Sequence, residues 1–278
     1  MNATFAPPKV GVVKLASCDG CQLALLDLED ELLAVAERFD LVQFPEATSR
    51  RWDGEFDVLL VEGSVSTPSQ AEELRHLRAR TRLLVAIGAC ATAGGIQALR
   101  NHLDERTVAA SVYPEPAWLE SLATATPLAD HVTVDLELRG CPIDRGQLLE
   151  VLTALRVGRR PQLPNEAVCA ACKRRGAACV LVTAGLPCLG PVTAAGCGAI
   201  CPAFGRACYG CFGPLPGANV AALSAQFAAM GRSEDEIGRA FALFTSWAEP
   251  FRAITAGSAP ILGHPDRAGP STRDGEAT

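Results

Sequence analysis

From Cys169 to Cys211 the chain reads CAACKRRGAACVLVTAGLPCLGPVTAAGCGAICPAFGRACYGC, eight cysteines and seven glycines in 43 residues without one Asp, Glu or His. No other stretch limits the fold as tightly. A cysteine-rich segment is a disulfide framework in an oxidising compartment and a metal site in a reducing one. The N-terminus, MNATFAPPKVGVVKLAS, lacks a basic region followed by an apolar core, so no export signal is expected. The Arg50-Arg51 pair is internal and runs into acidic, strand-like sequence, unlike a twin-arginine signal. The expected compartment is therefore the cytoplasm, and the chain's twelve cysteines are expected to bind metal.

The totals exclude several other classes. At 278 residues the chain is long enough for one large domain or a domain with a smaller companion. A hydrophobic content of 49% with 20% charged residues suits a globular protein with a real core. A net charge of −6 argues against a general nucleic-acid binder. The nearest approach to a membrane span, Leu83–Ile96, is too short and is broken by glycines. Nucleotide-binding loops are missing as well: no G-x-G-x-x-G follows a strand-like run, and no G-x-x-x-x-G-K-[ST] occurs.

Apolar runs at Lys9–Leu15, Val58–Val61 and Leu83–Ile87 read as buried strands. Val132–Leu138 alternates apolar with acidic residues and reads as an edge strand. Helical patterns lie between them. Cys21–Phe39 is amphipathic, with Asp19 and Gln22 as a capping pair; Thr67-Pro68-Ser69-Gln70 opens a second helix; Asp144 and Gln147 precede Leu148–Leu155. This β-α-β succession implies an α/β domain over residues 1–158, a parallel sheet covered by helices. Gly158-Arg159-Arg160-Pro161-Gln162-Leu163-Pro164 reads as a linker. A smaller, cysteine-rich domain is expected over 159–256, with Ser233 and Glu236 capping a helix that runs to about Trp247. Residues 257–278 read as a loose, flexible tail.

The cysteines sort into three fours. Cys18, Cys21, Cys90 and Cys141 are distant in sequence, yet each lies just after a predicted strand. In an open parallel sheet the carboxyl ends of the strands converge on one rim, so three loops bring four thiols together there. Gly20, Gly88 and Gly140, beside these cysteines, allow close approach of the backbone. Cys169, Cys172, Cys179 and Cys188 are spaced C-x2-C-x6-C-x8-C, and Cys197, Cys201, Cys208 and Cys211 are spaced C-x3-C-x6-C-x2-C. Four thiolates hold a [4Fe–4S] cluster. Structural zinc also takes four cysteines, but as two short knuckles; the third group can be forced into that shape, whereas the first and second have one knuckle each. Inside the block the only charges are Lys173, Arg174, Arg175 and Arg206, all positive. Cations and glycine-rich backbone amides suit anionic clusters. A zinc-stabilised interaction module is the alternative of another class.

Taken together, CDGC, Glu62-Gly63-Ser64, GAC, RGCP, CLGPVTAAGCGAICP and CYGCFGP resemble the small, electron-transfer subunit of [NiFe]-hydrogenases, over about residues 9 to 250. The resemblance implies a flavodoxin-like domain holding a proximal [4Fe–4S] cluster through Cys18, Cys21, Cys90 and Cys141. It also implies a C-terminal domain with a distal cluster on Cys169, Cys172, Cys179 and Cys188 and a medial one on Cys197, Cys201, Cys208 and Cys211. The nickel–iron site would lie in a large-subunit partner, and the chain alone would be inactive. Electrons would pass to flavin- and iron–sulfur-containing diaphorase subunits. Exported respiratory members of the family usually begin the distal set with a histidine and often have three medial cysteines. Cys169 and Cys201 depart from both habits, which is similar to the cytoplasmic, sulfhydrogenase-type, NAD(P)-linked branch. The heterodisulfide-reductase-linked (methyl-viologen-reducing) branch is the alternative. The small subunit of the related membrane respiratory complex shares the first domain but lacks the eight further cysteines.

Other residues carry weaker signals. Glu62 ends a predicted buried strand and is a candidate for proton movement or the subunit interface, or else it caps a loop. Lys173-Arg174-Arg175, with Arg159 and Arg160, reads as a docking patch for an acidic redox partner or as a solvated loop face. Trp52, Phe204, Tyr209 and Phe212 read as packing rather than electron-path residues. His76, His102, His131 and His264 lie outside the cysteine groups and are given no ligand role.

Overall fold

The computed structural model describes residues 6–256. Its centre is a five-stranded sheet of β1 (Lys9–Lys14), β2 (Asp40–Gln43), β3 (Phe56–Glu62), β4 (Thr81–Ile87) and β5 (Leu136–Leu138), every pair parallel, in the order β2-β1-β3-β4-β5. That is the flavodoxin-like order. Strand residues alternate between two cores. Val58, Leu60, Val85 and Ile87 join one, whereas Leu59, Val61, Leu84 and Ala86 join the other. With both faces apolar, the sheet must be covered on both sides.

Helices do this in chain order. α1 (Gly20–Leu26) and α2 (Asp30–Ala36) pack Leu25 and Val35 on the first face. α3 (Pro68–Ala79) covers the second with Ala71, Leu74 and Leu77. α4 (Gly88–Ala93) leaves the end of β4 directly, and α5 (Glu105–Val112) follows a 3-10 turn over Ile96–His102. α6 (Arg145–Arg156) returns to the first face with Leu148, Val151 and Leu152. Residues 159–165 have no regular structure. Glu150 on α6 ties them down, accepting hydrogen bonds from Arg159 Nη1 at 2.5 Å, Arg159 Nη2 at 2.7 Å and the Gln162 amide at 2.7 Å.

Six short helices follow: α7 (Val168–Arg174), α8 (Val180–Thr183), α9 (Ile200–Ala203), α10 (Val220–Ala229), α11 (Glu234–Phe241) and α12 (Phe251–Thr255). Their core is a cluster of Leu189, Val192, Leu223, Phe227, Ile237, Phe241 and Phe251. This part sits on the carboxyl rim of the sheet beside β5. There Arg139 Nη1 donates to the Pro214 carbonyl at 2.9 Å, and the Phe212 ring lies against Gly140.

Local competition explains where the elements depart from expectation. The helix expected over Cys21–Phe39 breaks between α1 and α2, where Glu29 takes φ 52 and Arg145 binds the freed Asp27 carbonyl. Asp19 does not cap α1 with its side chain; it sits at φ 66 with its carboxylate on Lys14 Nζ at 2.5 Å. The Thr67/Gln70 and Ser233/Glu236 capping boxes are both made. The helix after Ser233 ends at Phe241, not near Trp247, because the next segment turns back to give the Gly210 carbonyl a hydrogen bond from Thr245 Oγ1 at 2.8 Å. The edge strand shrinks to Leu136–Leu138, and β2, with only Val42 fully buried, is an addition. Among the described residues no helix is long and apolar enough to cross a membrane. The tail expected over 257–278 lies outside the described residues, and α12 is the last element before it.

Candidate metal centre

The rim loops carry the first group of cysteines. Cys18 and Cys21 follow β1, Cys90 lies on α4 after β4, and Cys141 follows β5. Glycines line these thiols. A Cβ on Gly88 would stand 2.4 Å from Cys21 Sγ, one on Gly95 2.5 Å from Cys90 Sγ, and one on Gly20 3.4 Å from Cys18 Sγ. Backbone therefore approaches the sulfurs where side chains could not. Burial, then Glu62 and the neighbouring thiols, push the Cys21 thiol up; burial and Cys141 raise Cys90 to about 11; burial and Cys18 raise Cys141. Thiols crowded together out of water keep their protons until a cation joins them.

Glu62 closes the floor of this rim. It is 2% exposed, and its Oε1 accepts the Cys21 amide at 3.1 Å while its Oε2 accepts Gln22 Nε2 at 3.1 Å. Burial pushes its carboxyl up, and the two donors partly offset that. Gln22, expected in a cap, thus holds Glu62 instead. Gln97 also belongs to the rim: its Nε2 donates to the Ala16 carbonyl at 2.9 Å, and its side chain lies near enough to Cys90 to pull that thiol's pKa down against burial. Neither glutamine was legible in the sequence, since their partners lie 40 and 81 residues away.

The second and third groups wrap one another. A Cβ on Gly190 would lie 3.4 Å from both Cys169 Sγ and Cys188 Sγ. Burial and repulsion from Cys188 raise Cys169 to about 11, with Cys172 and Cys179 adding to it. Cys208 is raised to about 12 by burial, against hydrogen bonds from the Gly210 backbone and Thr193. Cys211 is raised to about 12 by burial and by Cys197, with Cys201 further off. Two features join the groups: the Cys208 amide donates to Cys188 Sγ at 3.2 Å, and the Cys141 backbone lies near enough to the Cys211 thiol to pull its pKa down against burial. The spatial order is accordingly first, third, second. All twelve cysteines are free thiols. Among the described residues, no three His, Cys, Asp or Glu side chains are gathered as the ligands of a single metal ion would be.

The aromatic residues divide. Phe212 packs between Gly140 and Gly196, at the seam of the first and third groups. Phe204 is 76% exposed and Tyr209 borders a cleft of about 370 Å³ beside Cys208. Trp52 is at the opposite rim, under Lys9 Nζ at 5.0 Å, and has no part in the site. His102 stacks edge-on to Trp247 at 5.8 Å and His131 bonds Thr126 Oγ1 at 2.7 Å, away from every cysteine; His264 lies outside the described residues.

Known proteins resemble most of the chain. Residues 18–155 match the family model described as NADH ubiquinone oxidoreductase, 20 Kd subunit. Sulfhydrogenase 2 subunit delta of Pyrococcus furiosus is 38% identical over 239 residues, 86% of this chain and all of that protein. A vhu-type subunit of the F420-non-reducing hydrogenase of Methanocaldococcus jannaschii is 31% identical, over 74% of this chain and 81% of its own. Among solved structures, a chain of NAD+-reducing [NiFe]-hydrogenase in the H2-reduced state is 32% identical with a TM-score of 0.53; the match spans 57% of this chain and 96% of that one. With the parallel sheet, the cysteine-bearing rim and kinship over the whole of a sulfhydrogenase subunit, the chain belongs to the small subunits of the [NiFe]-type hydrogenases.

Proposed function

We propose that this chain is the electron relay of a cytoplasmic hydrogenase, with three [4Fe–4S] clusters held by its twelve cysteines in three sets of four. Cys18, Cys21, Cys90 and Cys141 would hold the proximal cluster, Cys197, Cys201, Cys208 and Cys211 the medial one, and Cys169, Cys172, Cys179 and Cys188 the distal one. The observation that carries this reading is that the three sets adjoin: the Cys208 amide donates to Cys188 Sγ at 3.2 Å, and the Phe212 ring beside Cys211 packs against Gly140 beside Cys141. Bound clusters supply one-electron carriage at potentials set by hydrogen bonds, charge and solvent access.

The chain's own residues fit that group. Glycine backbone abuts the sulfurs of the first and second sets. Amides of Ile143, Cys208 and Gly210 point at thiols that would become anionic on loading. From Ala167 to Ser233 there are five cations and no carboxylate. Phe212 keeps water from the seam. We divide the chain into residues 1–158, with the proximal set, and 159–256, with the other two.

Both ends have surfaces for partners. Leu23, two residues from Cys21, and Ile96, next to the Gly95 that abuts Cys90, are exposed apolar side chains flanking the rim, and Trp118 is 85% exposed. Apolar surface of this kind marks an interface, here for the large subunit with its nickel–iron site. At the other end the cysteine block carries the cations Lys173, Arg175 and Arg206 together with exposed Val182, Ile200 and Phe204, a composition suited to an acidic-rimmed flavin and iron–sulfur diaphorase subunit.

The test is iron and acid-labile sulfide per chain on anaerobically purified complex, with EPR of the dithionite-reduced sample. About twelve of each, with interacting reduced-cluster signals, is the expected result. About four iron with two zinc would leave only the rim cluster and overturn the reading of the C-terminal part.

A further inference from the structure

Gln147 is the third residue of α6, and its backbone amide donates to Asp144 Oδ1 at 2.9 Å. A capping box would send its side chain back to the Asp144 amide. That half of the box is not made. The side chain crosses the seam instead, into the space left by Gly196: a Cβ there would stand 2.2 Å from Gln147 Nε2 and 2.2 Å from Phe212 Cε1. Nε2 is buried and has no hydrogen-bond partner in the protein. Native structures keep few such groups, because a buried donor without an acceptor has lost its water for nothing.

Its surroundings name the missing acceptor. Gly196 precedes Cys197, and Phe212 follows Cys211, so the amide lies between backbone neighbours of two cysteines of the third set. α6 itself begins four residues after Cys141. We propose that the Gln147 side-chain amide donates to the sulfurs of the cluster held by Cys197, Cys201, Cys208 and Cys211, and thereby raises that cluster's midpoint potential. This rests on the three-cluster reading above. The sign follows from charge: reduction adds an electron to an anionic cluster, and a nearby N–H stabilises the more negative state. Gln147 is a positioning and tuning residue here, not a ligand. The competing acceptor is a water in the cavity of about 150 Å³ that Gln147 shares with Glu137 and Arg139.

The test is an EPR-monitored redox titration of the purified complex carrying Gln147→Leu and, separately, Gln147→Glu, each first assayed for iron. Gln147→Leu is expected to keep about twelve iron and lower one midpoint potential of the three. Gln147→Glu, which adds negative charge at the same length, is expected to lower the same one further. Should iron fall in both variants, the wild-type complex with 15N-labelled glutamine side chains decides the matter. Because Gln97 lies beside Cys90 at the rim, the coupling is also recorded in a Gln97→Leu background: a nitrogen coupling in pulsed ENDOR that persists there supports the donor, and its absence overturns it and leaves the water. Unchanged potentials at full iron overturn it too. A wild-type complex short of twelve iron refutes the three-cluster reading instead, so the two failures are separable.

Discussion

Replacing Gly88 with alanine should empty the rim site. Gly88 has φ 85, and a Cβ there would meet Cys21 Sγ at 2.4 Å. A non-glycine residue in that backbone region costs about 1–3 kcal/mol. Relief of the clash by moving Cys21 is blocked, since its amide is fixed by Glu62 and its sulfur takes a hydrogen bond from the Ile143 backbone. Overpacking of this kind adds about 1–3 kcal/mol. The matched control is Gly158→Ala. Gly158 has φ 68 with nothing within 4 Å of its would-be Cβ, so alanine meets the backbone strain alone. The two variants should then differ by the clash, which corresponds to roughly 5- to 150-fold in the equilibrium for forming the rim site. Iron per chain on complexes purified side by side is the readout: about eight for Gly88→Ala and about twelve for Gly158→Ala. If Gly88→Ala binds about twelve iron and melts with Gly158→Ala, Gly88 is not there to admit the Cys21 sulfur.

Three further outcomes are expected. Glu62→Gln keeps an acceptor for the rim loop, so iron and hydrogen turnover should stay near wild type, whereas Glu62→Leu strands the buried Cys21 amide at about 1–3 kcal/mol; a tenfold loss of turnover in Glu62→Gln at full iron would assign Glu62 to proton movement instead. Reversing Lys173, Arg175 and Arg206 to glutamate should abolish the salt dependence of electron delivery to the diaphorase partner and slow it about tenfold at low ionic strength; an unchanged salt dependence would move the docking face elsewhere. Arg159 and the Gln162 amide hold the Glu150 carboxyl at about 2, below its ordinary 4.5, so the tether of the linker is intact above pH 4.5 and is lost as pH falls toward about 2. An NMR titration of that carboxyl with a midpoint near its ordinary value would contradict this, and Glu150→Gln should speed tryptic cleavage after Arg159.

What the sequence revealed follows the range of the forces involved. β1, β3 and β4 were legible because a strand buried on both faces must be apolar throughout, a local property of seven residues or fewer. β2 was not, since its partner β1 supplies what its own side chains do not. Spacing alone grouped the second and third sets of cysteines, and the strand-then-cysteine pattern grouped the first. Spacing could not give the order of the sets in space, which depends on the approach of Cys141 to Cys211 across 70 residues of chain. The two glutamines that stand three residues after an aspartate, a local signal for a cap, divide. Asp144 does cap α6 through the Gln147 backbone amide, but the Gln147 side chain turns to the space beside Gly196, whereas Gln22 gives its side chain to Glu62 and Asp19 makes no side-chain cap.

Phe212 has a consequence for how such chains can be shortened. Its ring plugs a socket walled by Gly140, the chain neighbour of Cys141, on one side and Gly196 on the other. A chain ending after α6 would carry half of the socket and no plug. The Gly140 side of the socket would then stand open, and whatever protein docks on that edge would have to bring a ring of its own. The glycine at 140 can therefore be read as a joint, kept hollow for a part delivered from elsewhere.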